Sequence, residues 1–597
     1  MLTTRREDIA SYSFGVENHV HKIQPLEKSD AWVLFSMKAF SSYPNKSCSP
    51  ELLPLAQALV EKCEGLPLAI VALSGLMSSK KSLTEWSYIY NSLNWHLTNN
   101  SLLEPMKSIL LLSFNDLPYR LKQCFLYFSL FPEDMVISTS RLIRLWIAEG
   151  FVELLKGLTP EEVAKSYLME LIFRNMLQDM YHDYYPRCKM HDLMREIALS
   201  IAEKEKFCTV HDGSETMEET GVLRLSIQTT NGEIGSHTGM SRLRSFLVFV
   251  TGASSFSFSK TFRFDLTLLR VLDLEDAPID NLPELTYLFN LKYLNLRGTP
   301  IKELPESIAQ LCNLQTLDIF LTNIEALPRR ISKLLNLRHL RMGRIITKDG
   351  SSKVIGVRIP SSISKMNKLQ TLGMFESEGN NSSLIRSMTQ LTGLFISNVK
   401  ERDEKDLCAS IQEMKVLSHL FLWVADGEEF IRVDALSSPP PYLDRLDLIG
   451  KLEKVPHWFC SLHSLKIMLL YQSGLEEDLL PQIEALPALQ YLCLDNSSVR
   501  KELCFCRGFV QLRHLQLRNL SFLNKITIEK GVMPNLQFLE FDSCLRIETL
   551  PQGIEHLTKV QGYTFENVSN KFTESIREGG VDHPKMLLLE ERCSRYT

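Results

Sequence analysis

Side chains able to act as nucleophiles, bases or metal ligands are plentiful in this 597-residue chain, but their spacing matches no reaction. The thirteen cysteines and fourteen histidines form no H-E-x-x-H and no paired C-x-x-C, and no serine sits in a G-x-S-x-G turn. Cys504 and Cys506 make a C-x-C; in an odd, scattered set this favours reduced thiols over a disulfide frame or a zinc site. A phosphate-binding loop needs G-x-x-x-x-G-K-[ST] so that backbone N–H groups and a lysine cradle the phosphates. No such string occurs, and Gly450-Lys451 is followed by leucine. No catalytic residue and no metal ligand is assigned, and the chain is read as not an enzyme. The chemistry left is that of recognition, which depends on the elements that display the side chains.

Those elements repeat. From about residue 222 an L-x-x-L-x-L frame returns in steps of mostly 22 to 26 residues, clearest at Leu291-Leu294-Leu296, Leu314-Leu317-Ile319 and Leu337-Leu340-Met342. Each L-x-L puts two apolar side chains on one face of a short strand, and only stacked copies can bury that face. Several repeats then carry I-x-x-L-P, as at Ile301–Pro305, Ile324–Pro328 and Ile547–Pro551, where proline stops the strand. The longer step after Leu337 contains TKDGSSKVIG, which reads as a loop inserted between repeats. Residues between the leucines are expected on the concave face of a parallel sheet. They include Phe320, Phe375, Phe395, Phe421, Trp423 and Tyr471, with Arg297, Arg341 and Arg518 beside them. Aromatics and arginine are what protein-binding surfaces favour, so these six form the candidate partner surface.

The first two hundred residues read as helices. Asp30–Phe40 has helical apolar spacing with Ser29 or Asp30 as cap, and Pro67 in GLPLA is placed to start a helix. Amphipathic segments follow over 105–155, and two more over 161–205, the second being MHDLMREIALSIAEK. Short helices with an intervening turn fit a winged helix-turn-helix. Its candidate recognition segment, STSRLIRLWIAEGF, has two arginines and much apolar surface, so nucleic acid is not expected as partner.

Five strings in order, Thr3-Thr4-Arg5, VHKIQPLEKSDAWVLFSMKAF, GLPLA, Cys124–Asp134 (CFLYFSLFPED) and Met190-His191-Asp192, carry a resemblance. Residues 1–210 resemble the back part of the nucleotide-binding switch module of plant nucleotide-binding leucine-rich-repeat disease-resistance receptors, the class with an N-terminal coiled coil. The resemblance implies an α+β multidomain chain: a helical and winged-helix remnant of the switch module, then an α/β-type leucine-rich-repeat solenoid. The expected bounds are 1–24 for a remnant of the nucleotide-binding domain, 25–103 for the helical domain, 104–210 for the winged helix and 211–597 for the repeats. It also implies roles: Arg5 would face the terminal phosphate of a nucleotide, Pro67 would line its adenine and ribose side, and His191 would reach the inner phosphate of ADP, with Asp192 steadying the local fold. Arginine and histidine suit phosphate oxygens. Read without the resemblance, Arg5 is a solvated charge, Pro67 a helix starter and His191-Asp192 a helix cap.

The sequence departs from that family where the phosphate-binding loop, the strand with paired aspartates and the coiled coil would stand, as though the front had been removed. ADP or ATP is therefore expected to bind weakly or not at all, with no metal. A formal charge of -5 and a pI of about 6.3 exclude a global basic field. No apolar run is long enough to span a bilayer, and the N-terminal stretch has no signal-peptide core, so a cytoplasmic location is expected. The function implied is innate-immune recognition of pathogen effectors, guarded host proteins or related receptors. The alternative is a non-switching scaffold or decoy that modulates full-length receptors.

Overall fold

The computed structural model describes residues 24–594, apart from 42–46, 100–104, 181–185, 212–221, 230–239, 251–265, 283–284, 349–350, 378–380 and 425–428. Arg5 lies outside the described residues. The chain divides into two compact units, Met1–Phe207 and Cys208–Thr597.

In the first unit, helices α1 (Lys28–Ala39), α2 (Leu53–Glu61), α3 (Pro67–Ser78) and α4 (Leu83–Asn99) precede α5 (Pro105–Asn115) and α6 (Tyr119–Leu126). The cap of α1 is Glu27 rather than Ser29 or Asp30; Asp30 lies in the first turn, where its charge suits the helix dipole. α3 starts at Pro67 and is buried on nearly every side from Ala69 to Ser78, as expected of a helix apolar all round. Gly75 permits this: a Cβ there would meet the Arg174 carbonyl oxygen and the Asn175 side chain. Phe40 stacks on Trp86 at 5.7 Å, closing the helical core.

Strands β1 (Ile137–Ser138), β2 (Gln178–Met180) and β3 (Arg187–Lys189) form an antiparallel sheet in the order β1-β3-β2. Helices α7 (Thr139–Glu149), α8 (Pro160–Phe173) and α9 (Asp192–Lys204) belong to the same winged-helix arrangement. α7 ends on Gly150 in the left-handed conformation, and α8 starts with a capping box between Thr159 and Glu162. Arg141 and Arg144 of α7 are buried with Trp146, and the Arg141 guanidinium lies 5.7 Å from the Phe131 ring, so this helix does not offer them to a DNA groove. Asp116 ties the helical and winged parts of the unit together, accepting from Lys80 at 2.6 Å and from Arg174 at 2.8 Å.

In the second unit the leucine frame becomes one run of parallel strands. The sheet begins at Thr209–His211, one strand earlier than the leucine frame, and continues through pairing of Arg224–Thr229, Ser245–Val250, Val271–Asp273 and Tyr293–Asn295 to Gly562–Glu566. Leu294, Leu317, Leu340 and Leu372 stack in register, and the same position continues through Leu394, Leu420, Leu446 and Met468. All are buried in one continuous core. Each leucine contributes about 1.5–3 kcal/mol by the area it removes from water, so stability accumulates with repeat number. Pro305, Pro328 and Pro360 each cap a short 3-10 turn that returns the chain across the far side of the core.

Two expectations are corrected here. The segment inserted between repeats is present, since His339 and Leu340 pair directly with Thr371 and Leu372, but it is a hairpin rather than an open loop: His339–Lys348 and Ser351–Ile355 pair antiparallel. Cys504 and Cys506, expected as separate thiols, are instead brought into contact, the arrangement that a disulfide between them requires. They lie at the end of the strand Glu502–Phe505, where residues two apart share a face, and their Cα atoms are 5.6 Å apart, within the reach of such a bond. At the end of the unit, Asn570–Ile576 and His583–Ser594 close the last repeat with buried Phe572, Met586 and Leu589.

Candidate functional site

The open face of the solenoid sheet is built by the residues that alternate with the leucines. Because parallel strands hold the same register from repeat to repeat, side chains more than twenty residues apart become neighbours at about 4.8 Å. Three zones result.

The first zone is charged. Arg341 pairs with buried Asp318 at 2.9 Å, and Asn295 donates to Asp273 at 2.8 Å. Arg297 pairs with Glu275 at 3.3 Å and lays its guanidinium 4.8 Å from the Phe320 ring. Phe320 is thus half-buried under an arginine that already has a carboxylate partner.

The middle zone is aromatic. Phe395 and Phe421 are partners in register, with ring centroids 5.9 Å apart, and the His419 ring meets Phe395 edge-on at 4.5 Å. Trp423, Ile449 and Tyr471 occupy one position on three successive strands. Burial pushes the Tyr471 hydroxyl well above its ordinary range, and the nearby Cys493, Asp447 and Asp495 push the same way, so it remains a protonated donor. Among these rings, on the same face, Asp447, 2% exposed, accepts from Arg445 Nε at 3.0 Å and lies 3.0 Å from His419 Nε2. Nothing in the leucine frame identifies this triad, whose members come from two repeats; the R-x-D at Arg445 and Asp447, opposite charges flanking a core leucine, is its one local signal.

The third zone is polar. His514 lies 2.8 Å from Glu540, Tyr491 donates to Gln516 at 2.8 Å, and the His514 ring stacks between Tyr491 and Phe538 at 4.4 and 5.5 Å. The hydrogen bond from His514, with its charge, Gln516 and Arg518, holds the Glu540 carboxyl below the usual range against the opposing effect of burial. Arg518 lies 3.9 Å from Glu540 and 4.0 Å from Asp542.

Of the six candidate surface residues, Phe395, Phe421, Trp423 and Tyr471 therefore converge, while Phe320 stands apart in the charged zone. Phe375 is not on the surface: it is fully buried in the core. A register shift between Leu372 and Phe375 brings Phe375 opposite the core residue Ile396, so the alternation that predicts an outward ring is broken there.

In the first unit, Pro67 is the exposed first residue of α3, and His191 is the half-buried cap of α9. The two are on different helices, both of which pack against α5. His191 Nδ1 accepts from the Leu193 N–H at 3.3 Å. An accepting Nδ1 assigns the proton of the neutral ring to Nε2, leaving a donor suited to a phosphate oxygen. The cap and the nucleotide contact are therefore compatible roles of one imidazole. Among the described residues, no group of three His, Cys, Asp or Glu side chains is placed to hold a metal ion, and no helix is long and apolar enough to cross a membrane.

A family model described as a leucine-rich repeat region matches residues 242–578, and one described as the disease resistance protein winged helix domain matches residues 130–198. The chain is 41% identical over 602 aligned residues to disease resistance protein RPM1 of Arabidopsis thaliana, covering 98% of this chain and 64% of that protein. It is 29% identical to disease resistance protein RPP8 of the same plant, over 90% of this chain and 60% of that protein. It is also 29% identical to disease resistance protein Pik-2 of Oryza sativa subsp. japonica, over 92% of this chain and 60% of that protein. The chain thus spans 60–64% of the length of these relatives. Among solved structures, a leucine-rich-repeat protein of Leptospira interrogans is 18% identical over 58% of this chain and 91% of that one, with a TM-score of 0.32.

Proposed function

The chain belongs to the plant disease-resistance proteins that carry a winged-helix domain and a leucine-rich-repeat region, and on that footing we propose that it serves innate immunity by protein recognition through the open face of its repeats. The observation that carries this reading is the grouping of Phe395, Phe421, Trp423 and Tyr471 within four successive strands, with the buried Arg445–Asp447–His419 cluster set among them. Large aromatic rings held by packed neighbours lose little freedom on binding, and residues of this type dominate association energy. The partner class is a protein: a pathogen effector, a guarded host protein or a related receptor. The test is alanine replacement of Phe421, Trp423 and Tyr471 together, followed by an immune-response readout in leaf tissue. Loss of the response with unchanged protein level supports the reading; an undiminished response removes it.

Nucleotide enters this proposal only through the family. His191 would donate to a phosphate oxygen and Pro67 would line the base and ribose side, while a bound ADP would hold the family's resting state. Both residues fit such a contact, but a phosphate cradle requires converging backbone N–H groups and a lysine, and no such sequence lies in this chain. This chain by itself is accordingly proposed to bind ADP weakly. Isothermal titration giving micromolar or tighter affinity would sink that part of the reading.

A further inference from the structure

One edge of the solenoid has a composition unlike the rest of the chain. In six successive repeats, the residues entering the strand occupy 241–245, 267–271, 289–293, 312–316, 335–339 and 367–371. None of these thirty positions carries a carboxylate, in a chain where acidic residues outnumber basic ones 71 to 66. They do carry Arg242, Arg244, Arg270, Lys292, Arg338 and Lys368. The backbone stacks them: Arg270 N–H donates to the Arg244 carbonyl at 2.7 Å, Lys292 to Arg270 at 2.8 Å, Gln315 to Lys292 at 2.8 Å and Arg338 to Gln315 at 2.8 Å. At the strand spacing, Arg244 to Arg338 spans roughly 19 Å. Further along the same edge the corresponding position runs through Gln370, Thr392, Ser418 and Asp444 before Lys466 and Arg513, so the cations are densest over the first repeats.

We propose that this edge is a docking strip for an extended acidic segment of a partner polypeptide, separate from the aromatic face. Three observations favour a peptide. Side-chain amides line the strip: Asn290, Asn313 and Asn336 each donate to a backbone carbonyl of the preceding repeat at 2.8–2.9 Å, fixing the edge. A cavity of about 410 Å³ opens at its end, lined by Gln315, Asn336, Arg338, Lys368 and Gln370 among amides and cations only. Lys368 Nζ donates to Asn336 Oδ1 at 2.8 Å, so the amides of Gln315, Asn367, Gln370 and Gln390 are those that match the N–H and C=O pairs of a peptide backbone, while Arg338 and Lys368 match its carboxylates. Single-stranded nucleic acid would need a row of exposed rings on which bases stack. Only Phe289 is an exposed aromatic here, and Tyr293 is buried.

The test uses the whole chain and a fluorescein-labelled twelve-residue peptide of alternating glutamate and serine. Fluorescence anisotropy is read at about 50 and about 200 mM salt, since exposed charge pairs weaken as the Debye length shrinks. A glutamine-for-glutamate peptide and labelled oligothymidine are the comparison probes. The expected result is saturable binding of the acidic peptide, several-fold weaker at the higher salt and at least fivefold weaker in the double variant Arg338→Gln, Lys368→Gln. Arg270→Glu with Arg338→Glu should abolish it, with circular dichroism confirming the fold; the glutamine variant decides the matter if the reversed charges impair folding. Absence of binding, equal binding of the glutamine peptide, oligothymidine binding as tightly, or an unaffected glutamine variant would each overturn the proposal.

Discussion

Replacing Asp447 by alanine should loosen the centre of the recognition face while leaving the ends of the array intact. Asp447 is 2% exposed and lies in register between Phe421 and Leu469, so its carboxylate has two apolar neighbours along the sheet. It is compensated by Arg445, whose Nε reaches both of its oxygens at 3.0 and 3.1 Å, and by His419 at 3.0 Å. Removing it leaves the Arg445 charge, itself 7% exposed, without the carboxylate on which its Nε is directed. Breaking one half of a buried pair costs about 3–5 kcal/mol, and little solvent is present to screen the charge, so a local cost of about 3 kcal/mol is expected. In a repeat array each repeat is stabilised chiefly by its neighbours, so the effect belongs to nearby strands rather than to a global transition. Amide hydrogen exchange is the suitable assay: about 3 kcal/mol corresponds to roughly a hundredfold faster exchange at ~1.4 kcal/mol per tenfold. That acceleration is expected at Leu420, Leu446 and Met468, with Leu272 and Leu539 unchanged. Exchange within threefold of the parent at the central amides would refute the assigned role of Asp447.

Three further outcomes are expected. Glu540→Gln should narrow the pH dependence of stability: the depressed carboxyl contributes stability that is present above its ordinary range and is lost as pH falls through its folded-state value. Urea titrations should therefore show a parent-minus-variant difference at pH 7 that shrinks below about pH 4, and a difference independent of pH would contradict it. Burial pushes the thiols of Cys63, Cys188, Cys408 and Cys493 up to about 12. At pH 8 roughly one such thiol in ten thousand is ionised, so brief iodoacetamide treatment followed by peptide mass analysis should mark exposed Cys312 and Cys460 and spare these four. Gly75→Ala should destabilise the first unit by about 1–2 kcal/mol, because the new methyl meets the Arg174 carbonyl and outweighs the helix preference of alanine. Thermal unfolding should drop by a few degrees; an unchanged or raised midpoint would show that α3 and the Arg174 turn separate freely.

The leucine frame was legible because burial imposes it on every repeat: Leu294, Leu317 and Leu340 can be read in sequence and stack in space. Pro67 was legible as a helix start for an equally local reason, its fixed φ and missing N–H. Phe375 was misread because a one-residue register shift reverses which face a side chain takes, and no residue type announces the shift. The hairpin after Met342 was missed although Asp349-Gly350 is a turn signal, since TKDGSSKVIG is polar enough to resemble a loop. The His419–Asp447 and His514–Glu540 contacts were not legible, and the R-x-D at Arg445 and Asp447 was the one local trace of the first. His419 lies 28 residues from Asp447 and His514 lies 26 from Glu540, and only the pairing of successive repeats makes them neighbours. The aromatic stripe was half legible: side-chain type was visible in the sequence, but its convergence into one platform depends on which strands are adjacent.

The central claim is that the aromatic platform recognises a protein partner. The most direct test places a photo-crosslinking amino acid at Phe421 or Trp423 of the full chain, with exposed Val581, after the last repeat, as control, and irradiates leaf tissue that expresses each form. The expected result is a discrete protein adduct from Phe421 and Trp423 positions that is absent at Val581 and disappears when Tyr471 is also changed to alanine. Adducts of the same size and yield from all three positions, or none from the platform in tissue that mounts the immune response, would contradict it.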